Sequence, residues 1–360
     1  MKSLQEIGSS SIPSEELISE SLRNVGLHRS GFALLGFLNW ITAQAKEDSI
    51  EHVLFVVHAD HLFRKLEEAS KGRIRFALPS YSCIRGGRRA LTTASLRAES
   101  FDPSLLLTDV AGLTPLGVLE RIGVSAPADH VLENLGLGPR MLLREDMMPR
   151  MRDFLTAWRS EILKVSQQLR RNLFHHLLNN GVSAGCRVAI VDVGWNGEAQ
   201  CAFDTALDGV MPLKTIGYNF FLSEDPDCQR RRRNCSMKAQ INSCNVAPGF
   251  IQAMYRNRAL CDFLLFPRVR ESTGDQGKQR GRGNVPESEL VGIEEVTAMS
   301  LELEAGILDF ASRWSSMDSG AVEVQDPVEL AMPLLRFIVD GESAQNPIVE
   351  RLQSGNASLL

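Results

Sequence analysis

The stretch "CRVAIVDVGWNGEAQ", residues 186–200, decides the fold class. Its run Val188 to Val191 is apolar and rich in β-branched residues, and it suits an interior strand covered on both faces. Asp192 ends that run. A turn with Gly194 and Gly197 follows, and then the helical pattern "NGEAQCAFDTALDG". Strand, glycine-bearing turn and helix together make the repeating unit of α/β proteins.

Outward from this unit the pattern repeats. "LKTIGYNFFLS", residues 213–223, predicts the next strand. Upstream, "IEHVLFVVHAD" (50–60) reads as a buried strand and "RIRFALPSYSC" (73–83) as a weaker one. Helical patterns separate them in "SGFALLGFLNWITAQAKEDS", "HLFRKLEEASKG" and "GGRRALTTASLRAE". Residues 101–180 carry no strand pattern. There "TPLGVLERIG" predicts one helix, and residues 147–181 predict a single long one that stops at Gly181. The expected fold is α/β, with a mainly parallel Rossmann-like sheet, a large helical insertion at about 101–180 and C-terminal helices. By domains, residues 1–30 form a polar lead-in and 31–225 the α/β core. Residues 226–360 are mostly helical, with a flexible Gly-rich loop at about 270–290.

Composition excludes several function classes. The 360 residues are 44% hydrophobic, enough for a full core, and the net charge is −5. An acidic balance with 6% aromatics argues against nucleic acid as partner. No run approaches the roughly 18 apolar residues of a membrane span, and the N-terminus lacks the apolar region of a signal peptide. The expected location is cytoplasmic. Seven scattered cysteines without C-x-x-C spacing fit reduced thiols. Cys228, Cys235 and Cys244 are spaced too widely for a zinc knuckle.

Three stretches carry candidate chemistry. "HADH" (58–61) closes the first strand and offers His58, Asp60 and His61. It differs from the H-x-H-x-D-H of metallo-β-lactamase-like hydrolases, whose first position here is Val56. The histidines that remain downstream, His130, His175 and His176, supply no convincing third ligand for a catalytic zinc. "IRGGRRAL" (84–91) places Arg85, Arg88 and Arg89 around a double glycine after a strand, and arginine's planar fork binds phosphate or carboxylate oxygens in pairs. In the Asp192–Gly197 turn, Gly194, Asn196 and Gly197 would aim backbone N–H groups and a helix N-terminus at an anion, with Asp192 holding a ribose hydroxyl, a magnesium ion or a loop amide. All three stretches belong at the carboxyl edge of the sheet, where open α/β folds bind ligands. The four arginines Arg230 to Arg233 read as a solvated face, with an anionic partner as the alternative. No G-x-S-x-G, P-loop or H-E-x-x-H segment is present.

Taken in order, the motifs resemble the region after the catalytic domain in predicted hydrolases of the haloacid dehalogenase (HAD) superfamily. The stretch "VDVGWNGEAQ" is similar to their "vDvGWsGtiQ", "GGRRALTTAS" to their "SRRAl..as", and "LLGFLNWITAQAKEDSIEHVLFVV" to a segment ending in Arg-Asp-Gly. "NRALCDFLLFPR" and "LEAGILDFASRW" are fainter echoes of their C-terminal part. The likeness spans roughly residues 30–315, without the D-x-D-x-T nucleophile segment of the phosphatase half. His58, Ala59 and Asp60 stand where that family has Arg-Asp-Gly, so "HADH" reads as an altered site rim rather than a metal cage. The resemblance implies a link to cell-surface polysaccharide glycosyltransferases in bacteria.

The expected function is binding of a phosphorylated sugar or nucleotide-sugar-like ligand, with Arg85, Arg88, Arg89, Asp192, Gly194, Asn196 and Gly197 as ligand contacts. His58, Asp60 and Asp192 are the catalytic candidates, and magnesium is the cofactor compatible with Asp192. Catalysis is left open, since the altered trio also fits a pseudoenzyme. One alternative is a non-catalytic module that partners a glycosyltransferase. Another is a phosphoribosyltransferase-like transferase, by analogy of strand, Asp, turn and helix alone. Asp192 separates the first two: a ligand site needs it open beside the arginines, and a structural module buries it.

Overall fold

The run Arg187–Trp195 is the central strand of a wholly parallel sheet that has five strands among the described residues. The computed structural model describes residues 21–56, 60–71, 77–84, 86–108, 110, 112–267, 287–314 and 326–343. The strands are β1 (His52–Phe55), β2 (Ser80–Cys83), β3 (Arg187–Trp195), β4 (Lys214–Leu222) and β5 (Met237–Ile241), in the order β2-β1-β3-β4-β5. Every neighbouring pair is parallel, with Leu54 opposite Ile190 and Asp192 opposite Asn219. The expected Rossmann-like α/β fold is therefore observed.

Period-two alternation distributes β3 between the two faces. Val188 and Ile190 meet Leu91 and Ala94 of α4 (Gly87–Ser95), Leu173 and Leu177 of α8 (Arg159–Asn179), and Phe203 of α9 (Glu198–Leu207). Ala189, Val191 and Val193 face the opposite layer. That layer takes in α1 (Leu22–Val25), α2 (Gly31–Glu47), α3 (Asp60–Ala69), α11 (Pro248–Arg256), α12 (Arg258–Leu265), α13 (Glu287–Trp314) and α14 (Pro327–Ser343). The sheet is thus buried on both sides, as its continuous apolar strands require.

The insertion between β2 and β3 has a core of its own. It contains α5 (Pro115–Ile122), α6 (Asp129–Glu133) and α7 (Met148–Ala157). Val118, Leu119, Phe154 and Leu155 there pack with Ile162 of α8. No strand occurs among its described residues.

Three local departures from the sequence expectation have physical reasons. The long helix expected at 147–181 breaks at Trp158, whose φ of −85° and ψ of 8° separate α7 from α8; the expected stop at Gly181 (φ +79°) is present. Residues 21–30 are more than a polar lead-in. Leu22, Val25 and Leu27 are buried along α1 and a π-helical turn (Gly26–Ser30), packed with Leu303 and Ile307 of α13. The sheet also continues past residue 225. β5 was unforeseen because "MKAQI" is short, half-exposed and interrupted by Lys238, as befits an edge strand. The Gly-rich loop expected at about 270–290 lies outside the described residues as far as 286, and the chain is helical from Glu287.

This topology fixes where a ligand crevice belongs. β1 connects to β2 on one side and the chain returns to β3 on the other, so the direction of winding reverses between β1 and β3. Crevices of open α/β sheets lie outside the carboxyl ends of the strands at that reversal. Val56 leaves β1 there, its N–H bonded to the Val191 carbonyl at 2.9 Å.

Candidate functional site

Asp192 shares the even-numbered face of β3 with Val188 and Ile190, so its side chain meets the layer that contains α4. Arg88, in the first turn of α4, donates from Nε to Oδ1 and Oδ2 of Asp192, both at 2.9 Å. The same guanidinium donates from Nη1 to Oδ2 of Asp262 on α12 at 2.8 Å. Trp195, three residues beyond Asp192, closes the group by donating from Nε1 to Asp262 Oδ1 at 3.1 Å. Two connections from the sheet and one C-terminal helix thus converge on a single guanidinium.

The backbone of β3 bends to make this possible. Gly194 has φ +108°, and a Cβ there would lie 2.1 Å from the Phe221 carbonyl oxygen of β4. Trp195 follows at φ +84°, a left-handed conformation that costs energy for a residue with a side chain. Its indole stacks on Phe221, with centroids 5.4 Å apart and planes 19° apart. That packing and the bond to Asp262 hold Trp195 in place.

Burial sets the electrostatics. Asp192 is 4% exposed. Burial pushes its carboxyl up, and the Arg88 charge pulls it back only in part. Burial also disfavours the Arg88 charge, but Asp192 and Asp262 outweigh that and hold the guanidinium firmly protonated. About a third of the Arg88 side-chain surface remains accessible, at 35%. Its Nη2, by contrast, is sealed from solvent and has no hydrogen-bond partner among the described residues.

No family model matches the chain, and a search of curated proteins finds no match. The chemistry of the site therefore rests on its own geometry.

The candidate residues divide into three groups. Arg88 and Asp192 meet directly. Gly194, Asn196 and Gly197 form the turn from β3 into α9. There Asn196 Oδ1 accepts the Glu198 N–H at 3.1 Å, and Arg231 Nη1 donates to the Asn196 carbonyl at 3.2 Å. Gly197 is left-handed at φ +73°, and the Met237 thioether fills the space that a Cβ there would take. Among the described residues, no hydrogen bond joins this turn to Arg88. Arg89 is exposed on the first turn of α4, and Asp60 begins α3. His58 and Arg85 lie outside the described residues. Of the arginine run, Arg230 pairs with Asp227 at the surface.

Asp192 meets its two criteria unequally: it is beside an arginine, yet buried. Its partner is a side chain 104 positions away rather than turn amides alone. The sequence expectation missed Asp262 and the indole donor of Trp195. The signal for Asp262 was one acidic residue inside the apolar helix "LCDFLLF". Among the described residues, no three His, Cys, Asp or Glu side chains group as a metal site. No helix there is long and apolar enough to cross a membrane.

Proposed function

We propose that the protein binds a phosphorylated sugar or nucleotide-sugar-like ligand at the carboxyl edge of its sheet, where the winding reverses between β1 and β3. One observation carries this reading. Arg88 is oriented by two carboxylates through Nε and Nη1, and about a third of its side chain stays accessible at the carboxyl edge. That accessible part can meet a phosphate or sugar oxygen, and arginine suits such oxygens.

The roles differ from a simple anion cradle. Asp192 and Asp262 position Arg88 and need not touch the ligand. They also exceed the guanidinium by one negative charge, so a dianionic phosphate is accommodated best together with a divalent cation. By the resemblance of its motifs, the ligand belongs to cell-surface polysaccharide biosynthesis. The location is cytoplasmic on this reading.

The test is a thermal-shift screen of phosphosugars, nucleotide sugars and phosphoribosyl pyrophosphate, with and without magnesium. A ligand at 100 times its Kd stabilises by about 2.7 kcal/mol. The shift should vanish in Arg88→Lys, which keeps the charge but loses the fork, and persist in an Asp129→Asn surface control. A positive shift with phosphoribosyl pyrophosphate alone would favour the transferase reading.

One observation favours a second reading, a non-catalytic module that partners a glycosyltransferase. Asp192 is closed, and most of the charge at this node is satisfied internally. On that reading no compound shifts the melting temperature of the folded protein.

A further inference from the structure

Cys201 lies early in α9, and Cys235 lies between α10 (Pro226–Arg232) and β5. They are 34 positions apart in sequence, yet their sulfurs are 3.1 Å apart. Both are free thiols and both are only partly buried. Neither is a core-filling cysteine of the kind represented by Cys228 and Cys261, which have no exposed surface.

The surroundings hold the pair in register. The Cys235 N–H is bonded to the Arg231 carbonyl at 2.9 Å, and the Cys201 N–H to the Gly197 carbonyl at 3.2 Å. Asp204, one helical turn past Cys201, accepts from Thr215 at 2.8 Å and faces Cys235 at 3.7 Å. Closing the remaining gap to the ~2.05 Å of a disulfide requires a shift of about 1 Å.

We propose that Cys201 and Cys235 form a redox-active dithiol, which a small-molecule disulfide of the glutathione class oxidises to an intramolecular disulfide. The reaction balances by thiol–disulfide exchange. The Cys201 thiolate attacks one sulfur of the reagent, the reagent's S–S bond breaks, and one thiol leaves with a proton. The Cys235 thiolate then displaces the second reagent thiol from the mixed disulfide. Two protein S–H bonds are lost, one protein S–S bond forms, and one reagent disulfide becomes two thiols.

The contact between the two sulfurs favours Cys201 as the attacking group. Burial raises both thiols; at Cys201 the hydrogen bond with Cys235 and then the Arg231 charge work against this, with Asp204 and Glu198 opposing them, whereas at Cys235 the contacts with Cys201 and Asp204 all raise the thiol further. Oxidation is accordingly slow at neutral pH and faster in mild alkali. The bond would tie α9 to the entry of β5. Arg231, on the helix between them, contacts the Asn196 carbonyl, so the link would also restrain the turn out of β3. The proposal does not depend on what that turn binds.

The experiment treats the folded full-length chain with oxidised glutathione at mildly alkaline pH, then blocks remaining thiols and maps peptides by mass spectrometry. The expected result is an intact mass lower by two hydrogens and a linked Cys201–Cys235 peptide, reversed by dithiothreitol. Cys201→Ser and Cys235→Ser should each abolish the link, and Cys244→Ser, at an exposed position, should keep it. The proposal is overturned if the folded wild-type protein leaves Cys201 and Cys235 open to alkylation while Cys244 takes up glutathione. A link between any other pair of cysteines overturns it equally.

Discussion

Arg88 and Asp192 are 104 positions apart in sequence and meet through two contacts of 2.9 Å, one from Nε to each carboxylate oxygen. The contact joins the first turn of α4 to the centre of the sheet. Removing one member of a buried ion pair costs roughly 3–5 kcal/mol, because the other charge is left uncompensated. Arg88 is partly accessible and keeps Asp262, which reduces the penalty. Asp192→Ala should therefore lower the unfolding free energy by about 2–3 kcal/mol. The double variant Arg88→Met/Asp192→Leu should recover part of that loss. Urea unfolding of the wild type, Arg88→Met, Asp192→Leu and the double variant measures the coupling. Additive losses would show that the two side chains do not act as a pair.

Gly194 and Gly197 both have positive φ, yet they should respond differently to alanine. At Gly194 the new Cβ meets the Phe221 carbonyl, a backbone atom within the sheet. At Gly197 it meets only the end of the Met237 side chain, which can swing away. Left-handed strain alone costs about 1–2 kcal/mol, so Gly197→Ala should stay folded with a loss of that order. Gly194→Ala should cost clearly more or fail to accumulate as soluble protein. Comparing soluble yield and urea midpoints tests this, and equal losses would contradict the backbone contact.

A second polar cluster sits at the amino end of the sheet, away from Arg88. His52 is 2% exposed and bonds Ser80 and Ser82 at 2.8 Å each, and Ser82 also meets His176 at 3.2 Å. Burial first, and then the neighbouring His176, lowers the His52 imidazole from its usual 6.5 to about 4. The sign follows from linkage. Between these values the unfolded chain binds a proton that the folded chain refuses, so stability falls as pH drops from 6.5 toward 4 and levels off below. His52→Gln keeps hydrogen-bonding capacity without titrating. Relative to that variant, the wild type should lose about 2 kcal/mol more between pH 7.5 and pH 4.5. Parallel losses in urea titrations at the two pH values would show that His52 is not held neutral.

The sheet was legible because β1, β3 and β4 carry apolar runs that only a doubly covered strand tolerates. β5 was not, because an edge strand needs no such run. The pairing of Arg88 with Asp192 was half legible. Topology places both loops at the carboxyl edge, but no local pattern says that one guanidinium spends two nitrogens on two carboxylates. Asp262 was illegible for a related reason. It lies in α12, far along the chain, and its role depends on tertiary approach to Trp195. Trp195 shows the limit most clearly. Its sequence context predicts a turn with Gly194 and Gly197, but nothing there predicts that the strand runs on to Trp195 or that this residue takes the left-handed φ of +84°.

That turn leads to a last prediction. Trp195 does two separable things: its ring stacks on Phe221, and its N–H anchors Asp262. Trp195→Phe keeps an aromatic face for the stack and removes the donor. The loss should be about 1–2 kcal/mol, the range of one hydrogen bond to a charged group with some stacking area. It should shrink when Asp262→Asn is already present, since the carboxylate that Trp195 anchors is then gone. Trp195→Gly relieves the strained φ but forfeits the stack, and it should be the less stable variant. The comparison is made by urea unfolding at one pH, with tryptophan emission separating Trp195 from the other three indoles. If Trp195→Gly matched or exceeded the stability of Trp195→Phe, backbone strain rather than aromatic packing would dominate at this corner of the sheet.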